Sequence, residues 1–103
     1  MSLEITSSKD GSKTLVKVVG EVDVSNAPQL RQELEAALGE ATPQVAVDFS
    51  EVPYIDSTGI GVLVGAAHRA KEAGGSLTLS NPQKNVARVL SLLGVDKELV
   101  AGE

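Results

Sequence analysis

Residues 54–59 read Tyr-Ile-Asp-Ser-Thr-Gly, a carboxylate, two hydroxyls and a glycine directly ahead of the apolar run Ile60-Gly61-Val62-Leu63-Val64. A hydroxyl at Ser57 or Thr58 could accept a phosphoryl group, and the Asp56 carboxylate could serve acid–base chemistry. All three side chains could equally cap a helix, accepting hydrogen bonds from N–H groups that have no partner in its first turn. Physics permits phosphate here. A helix N-terminus favours an anion by ~0.3–1 kcal/mol, and by up to ~2 in good geometry. A docked partner would respond differently, because phosphoserine adds about −1.5 to −2 charge beside Asp56. Burying that charge unpaired in an interface costs several kcal/mol, and a shift of ~4 kcal/mol is already a thousandfold in affinity. Ser57 therefore suits a switch that changes binding and spares the fold.

Competing chemistries fare worse. Aspartic proteases use Asp-Ser/Thr-Gly, but they need two carboxylates sharing a proton; here Thr58 interrupts the run, which occurs once. His68 is the only histidine, and it falls about three helical turns beyond Ser57, out of reach of its hydroxyl. His68-Arg69-Ala70-Lys71-Glu72 reads as a solvated helix end. With no cysteine and one histidine, a zinc site would have to be almost all carboxylate, and no metal is expected. Gly59, Gly61 and Gly65 form G-x-G-x-x-x-G, one residue longer than a dinucleotide fingerprint. The next strand ends in Ser80-Asn81 rather than in the acid that would hold a ribose. No cofactor is expected. Each helical glycine costs about 1 kcal/mol against alanine. Gly61 and Gly65 therefore suggest close approach by another element or a partner, with Val62 and Ala66 extending a small apolar surface away from the buried stripe.

The whole chain of 103 residues, with 9 basic and 14 acidic side chains, carries a formal charge of −5. That is the wrong sign for a phosphate-backbone binder, and the two aromatics, Phe49 and Tyr54, offer little for base stacking. No nucleic-acid partner is expected. An acidic surface suits a partner with a basic patch. No apolar run is long enough to span a membrane. The N-terminus, MSLEITSSKDG, lacks a basic n-region and an apolar h-region, so a cytoplasmic protein with no membrane partner is expected.

The elements that must position Ser57 follow from hydrophobic periodicity. Leu3 and Ile5 mark a short strand, Asp10-Gly11 a hairpin turn, and residues 14–22 the return strand. A helix follows, with Ser25 or Asn26 as its cap, Pro28 in its first turn and Gly39 at its stop. Residues 44–50, QVAVDFS, are apolar at nearly consecutive positions and predict a strand covered on both faces. The helix after Asp56 runs to about Ala73, with Ile60, Leu63, Val64 and Ala67 as its buried stripe, and Gly74-Gly75 ends it. Residues 76–80 alternate as a strand. Asn81-Pro82 opens a last helix with Val86, Val89, Leu90 and Leu93 inward, and the tail has room for one more short element. The expectation is one α/β domain over residues 1–103. It has a β-hairpin, then βαβαβα, in a mixed sheet of four or five strands packed with helices. Ser57 then lies beyond the C-terminal end of a central strand, where open α/β sheets place their sites. Asp23, Ser25 and Asn26 occupy a second strand-to-helix turn; capping accounts for Ser25 and Asn26, and spacing alone does not account for Asp23.

The segments GEVDVSNAPQLRQEL, VAVDFSEVPYIDSTGIGVLVGAAHRAKEAGGSLTLSNP and VARVLSLLGVDK, nearly the whole chain, resemble the anti-sigma-factor antagonists, the single-domain branch of the STAS family. The resemblance implies a bacterial partner-switching protein, not an enzyme. By position, Ser57 would be phosphorylated by an anti-sigma factor that is also a serine kinase using ATP. The unphosphorylated form would bind that anti-sigma factor and release the sigma factor, and a PP2C-type phosphatase would restore the serine. Asp23 matches an acidic position near the phosphorylatable serine, and Asp56 and Thr58 match its flanks. Thr58 is the fallback acceptor. The expected partner-binding set is Asp23, Ser25, Asp56, Ser57, Thr58, Gly59, Gly61 and Val62, on a chain expected to be a monomer when free. Two rival readings use the same helix. A scaffold or transporter-associated STAS module would assemble into a large particle, and a small-nucleotide sensor would bind GTP or ATP at residues 56–61.

Overall fold

The computed structural model describes residues 3–99. Two strands open the chain, β1 (Glu4–Asp10) and β2 (Lys13–Val19), and pair antiparallel from Glu4↔Val19 to Asp10↔Lys13. The two-residue loop between them needs a left-handed residue, and Gly11 supplies it at φ +64. Then come α1 (Ala27–Ala37), β3 (Gln44–Glu51), α2 (Ser57–Glu72), β4 (Ser76–Ser80), α3 (Lys84–Leu92) and α4 (Asp96–Leu99). The sheet has the order β1-β2-β3-β4, with β2, β3 and β4 parallel. This is the expected mixed α/β sheet, and four of the expected four or five strands are present among the described residues. The tail does hold a short element, α4, which packs against α2, β4 and α3. Residues 1–2 and 100–103 of the expected domain lie outside the described residues.

One expectation fails for a topological reason. β3 is covered on one face, not two: Val45, Val47 and Phe49 are buried, whereas Ala46 and Asp48 between them are half-exposed. Each parallel crossover steps to the next strand in the same direction across the sheet. Right-handed crossovers that all step one way place their helices on the same face. The core therefore lies between that face and the helices. Val16, Val18, Val47, Phe49 and Leu79 meet Leu30, Leu34, Leu63, Leu90 and Leu99, all fully or almost fully buried. The open face stays polar across the strands, with Thr6, Lys17, Asp48 and Ser80 in one row. There Lys17 pairs with Glu51 at 3.0 Å. The Ser50 amide holds the Asp48 carboxyl below its ordinary value.

Two boundaries also move. The strand predicted over 14–22 stops at Val19, because its register with β3 slips between Lys17 and Val19 and Gly20 turns at φ +120. Val22 then makes a lone parallel bridge to Ile55. In α3, Val86 and Leu90 are buried as expected, but Leu93 falls at the C-cap and is 55% exposed.

Candidate functional site

β2 and β3 run parallel, so the loops that leave their C-terminal ends emerge side by side. The Val22↔Ile55 bridge fastens them: Val22 N–H donates to the Tyr54 carbonyl at 3.0 Å, and Asp56 N–H to the Val22 carbonyl at 3.1 Å. Two segments far apart in sequence, 20–26 and 52–58, thus form one surface at the edge of the domain. Asp23 and Ser57 both belong to it.

Asp56 is the N-cap of α2. Its backbone is extended (φ −98, ψ 179), and its Oδ1 accepts from Gly59 N–H at 3.0 Å. Its Oδ2 accepts from Val24 N–H at 3.1 Å, across to the other loop. One carboxylate thus caps the helix and ties the first loop to it. Ser57 and Thr58 are the first two residues of α2, and both are exposed. The Asp56 side chain and carbonyl satisfy the amides of Gly59 and Ile60. Those of Ser57 and Thr58 have no partner among the described residues. The helix therefore presents two free N–H donors beside an accessible hydroxyl, the arrangement that favours an added anion. Thr58, expected as a cap as well as a fallback acceptor, lies inside the first turn and leaves capping to Asp56.

The other loop is organised by Asp23 rather than by helix capping. The Asp23 Oδ1 accepts from Ser25 N–H at 2.9 Å and from Ser25 Oγ–H at 2.5 Å. The Ser25 hydroxyl, followed by the Ser25 and Asn26 amides, holds the Asp23 carboxyl below its ordinary value. Asn26 occupies the N-cap position of α1 but caps nothing with its side chain. Its Oδ1 accepts from Asp23 N–H at 2.9 Å and its Nδ2 donates to the Glu21 carbonyl at 2.8 Å. The expected capping role of Ser25 and Asn26 is thus replaced by a closed turn, which also accounts for Asp23.

The glycines divide by function. Gly59 is buried, and a Cβ there would lie 2.6 Å from Val22 Cγ1 and 2.9 Å from Ile55 Cγ1. It is the residue that lets α2 start tight against the Val22–Ile55 bridge. Gly61 is exposed, and a Cβ there would meet nothing within 4 Å; at Gly65 it would meet only an Arg69 nitrogen at 3.7 Å. Close approach by another element of the chain, one of the two readings of Gly61 and Gly65, is therefore absent within the described residues. Val62 and Ala66 do not extend an outer apolar surface either, being 7% and 0% exposed. α2 is wedged between the sheet, α1 and α4, so its buried arc is wider than a single stripe.

Val24 escaped the sequence reading. It is 68% exposed and sits between Asp23 and Ser25 in the loop tied to Asp56. Its alternation with Val22 mimics a strand, which hides it as core; the signal is an apolar residue flanked by Asx and serine turn formers. Among the described residues no helix is long and apolar enough to cross a membrane, and no cluster of three potential metal ligands forms.

The family described as Mlab, STAS domain matches residues 5–101. The anti-sigma-B factor antagonist of Bacillus subtilis (strain 168) is 34% identical over 95 residues, covering 92% of this chain and 86% of that protein. The anti-sigma factor antagonist SpoIIAA in its unphosphorylated form superposes with a TM-score of 0.80 at 20% identity, over 97% of this chain and 89% of that one. The Bacillus cell fate determinant SpoIIAA in the phosphorylated form gives 0.73 at 17% identity, over 99% and 92%. With bridged strand ends, a capped helix start and a family match over nearly its full length, this chain belongs to the STAS domain family.

Proposed function

We propose that this chain is an anti-sigma-factor antagonist whose grip on an anti-sigma factor is released by phosphorylation of Ser57. The observation that carries the reading is the setting of Ser57: an exposed hydroxyl in the first turn of α2, beside two amides with no partner among the described residues. It occurs in a chain 34% identical to an anti-sigma-B factor antagonist. The chain is a substrate and a binding module, not an enzyme. The partner is an anti-sigma factor that is also an ATP-using serine kinase, and a PP2C-type phosphatase reverses the mark in the cytoplasm. The free protein is a monomer.

The two forms differ by charge at an interface. Unmodified, the surface offers Ser57, Thr58 and Gly61 with Asp23 and Ser25 on the adjoining loop. Gly59 and Val62, being buried, support this face from within instead of touching the partner. Phosphate on Ser57 draws on the free amides, so the fold tolerates it. The same phosphate beside Asp56 opposes desolvation against a docked protein. Site mapping after incubation with the anti-sigma factor kinase and ATP tests the assignment. One phosphate on Ser57, and none on Ser57→Ala, is expected. Stoichiometric phosphate elsewhere on Ser57→Ala overturns it.

A further inference from the structure

Every backbone amide from Val22 to Ala27 is hydrogen-bonded. Val22 and Val24 donate to the neighbouring segment, at Tyr54 O (3.0 Å) and Asp56 Oδ2 (3.1 Å). Asp23 donates to Asn26 Oδ1 (2.9 Å) and Ser25 to Asp23 Oδ1 (2.9 Å). Asn26 and Ala27 both donate to the Asp23 carbonyl, at 3.1 and 2.8 Å. All six donors of this stretch are thus engaged, two of them on the neighbouring segment, and the stretch carries a valine that is 68% exposed. Val24 thus combines an apolar side chain left in water with a backbone tied to the segment that carries Ser57.

The surroundings describe what could cover it. Segments 20–26 and 52–58 contain Glu21, Asp23 and Asp56 and no basic residue. An apolar tip set among acids matches a partner surface with an apolar pocket edged by lysine or arginine. Holding the tip in place beforehand spares the ordering cost of binding. We infer that Val24 is the apolar anchor of the docking surface and that Asp56 is the positioning residue that holds it beside Ser57. The anchor rests on the proposed antagonist role; the clamp by Asp56 stands on its own geometry.

A carboxylate can serve two amides with its two oxygens, as Asp56 does for Gly59 and Val24. A side-chain amide has one accepting oxygen, and asparagine caps helices about as well as aspartate. Asp56→Asn should therefore keep the Gly59 amide protected from hydrogen exchange and release the Val24 amide. Exchange at Val24 at least about tenfold faster is expected, since a tenfold change corresponds to losing one ordinary hydrogen bond. Unchanged protection of the Val24 amide in the Asp56→Asn protein overturns the clamp. The anchor is tested with Val24→Ala against the anti-sigma factor kinase that phosphorylates the wild-type chain. Removing two methyl groups from a buried contact weakens binding about tenfold, while the melting temperature stays at the wild-type value because Val24 is exposed in the free protein. If phosphorylation of Ser57 weakens binding but Val24→Ala binds as tightly as wild type, the anchor is wrong and the antagonist role stands. If the unphosphorylated wild-type chain binds no anti-sigma factor, the antagonist role and the anchor fall together, and the exchange measurement alone decides the clamp.

Discussion

Gly59 and Gly61 lie two residues apart in one helix, and alanine should act on them with opposite signs. Both lie in α2 after its N-cap, Gly59 in the first turn and Gly61 beyond it, so each alanine gains up to about 1 kcal/mol of helix propensity. At Gly61 nothing opposes that gain, because the added methyl would meet no atom within 4 Å. Gly61→Ala should raise stability by up to about 1 kcal/mol, or roughly 4–8 °C in a domain of this size. At Gly59 the methyl would press on Val22 Cγ1 at 2.6 Å and Ile55 Cγ1 at 2.9 Å. Val22 is fully buried and β-branched, so it has little rotamer freedom with which to yield. Overpacking of this kind costs about 1–3 kcal/mol. Gly59→Ala should therefore lose up to about 2 kcal/mol net, and should loosen the bridge that joins the two loops. Thermal and urea unfolding of both variants read the signs directly. Equal stabilisation of the two would refute the packing argument at Gly59; destabilisation by Gly61→Ala would refute the claim of open space. Gly61→Ala should also weaken partner binding while it stabilises the fold, because its methyl enters the proposed docking face.

Other outcomes follow from the same contacts. A Cβ at Gly75 would collide with the Pro43 backbone, where Ser76 N–H donates to the Pro43 carbonyl at 2.8 Å. Gly75→Ala should cost at least about 2 kcal/mol, seen as a lower urea midpoint, and a wild-type midpoint would contradict this. The Asp23 carboxyl is held low chiefly by the Ser25 hydroxyl. A depressed folded value means a stabilising contribution present above the unfolded carboxylate pKa of about 3.9 and lost as pH falls through the folded value. Ser25→Ala should move the Asp23 midpoint up toward the ordinary value, without reaching it because the Ser25 amide remains; carboxyl NMR titration checks this, and an unmoved midpoint would contradict it.

The sequence carried the element order, the hairpin at Gly11 and the helix that starts after Asp56, because these depend on local periodicity and turn chemistry. It also placed Ser57 at a strand's C-terminal end. What it could not carry was anything that depends on which way the crossovers step. The same apolar run Val45-Ala46-Val47 fits a strand covered on one face or on two, since Ala46 tolerates either. Val62 and Ala66 looked peripheral on a helical wheel with one stripe, and are buried because α2 meets α1 and α4 as well as the sheet. At residues 23–26 the types suggested helix capping, but serine and asparagine bond equally well to a neighbouring turn, and there they serve Asp23. The double duty of Asp56 was invisible for a simpler reason: its second partner, Val24, lies 32 residues away in the chain.

The affinity of one anti-sigma factor for the chain with and without phosphate on Ser57 tests the central claim most directly. The unmodified chain should bind, and the phosphorylated chain should bind at least about a hundredfold more weakly, as expected from several kcal/mol of unpaired charge at an interface, while both melt within a few degrees of each other. Equal affinity for the two forms would contradict the switch, and so would a phosphorylated chain that loses binding only because it unfolds.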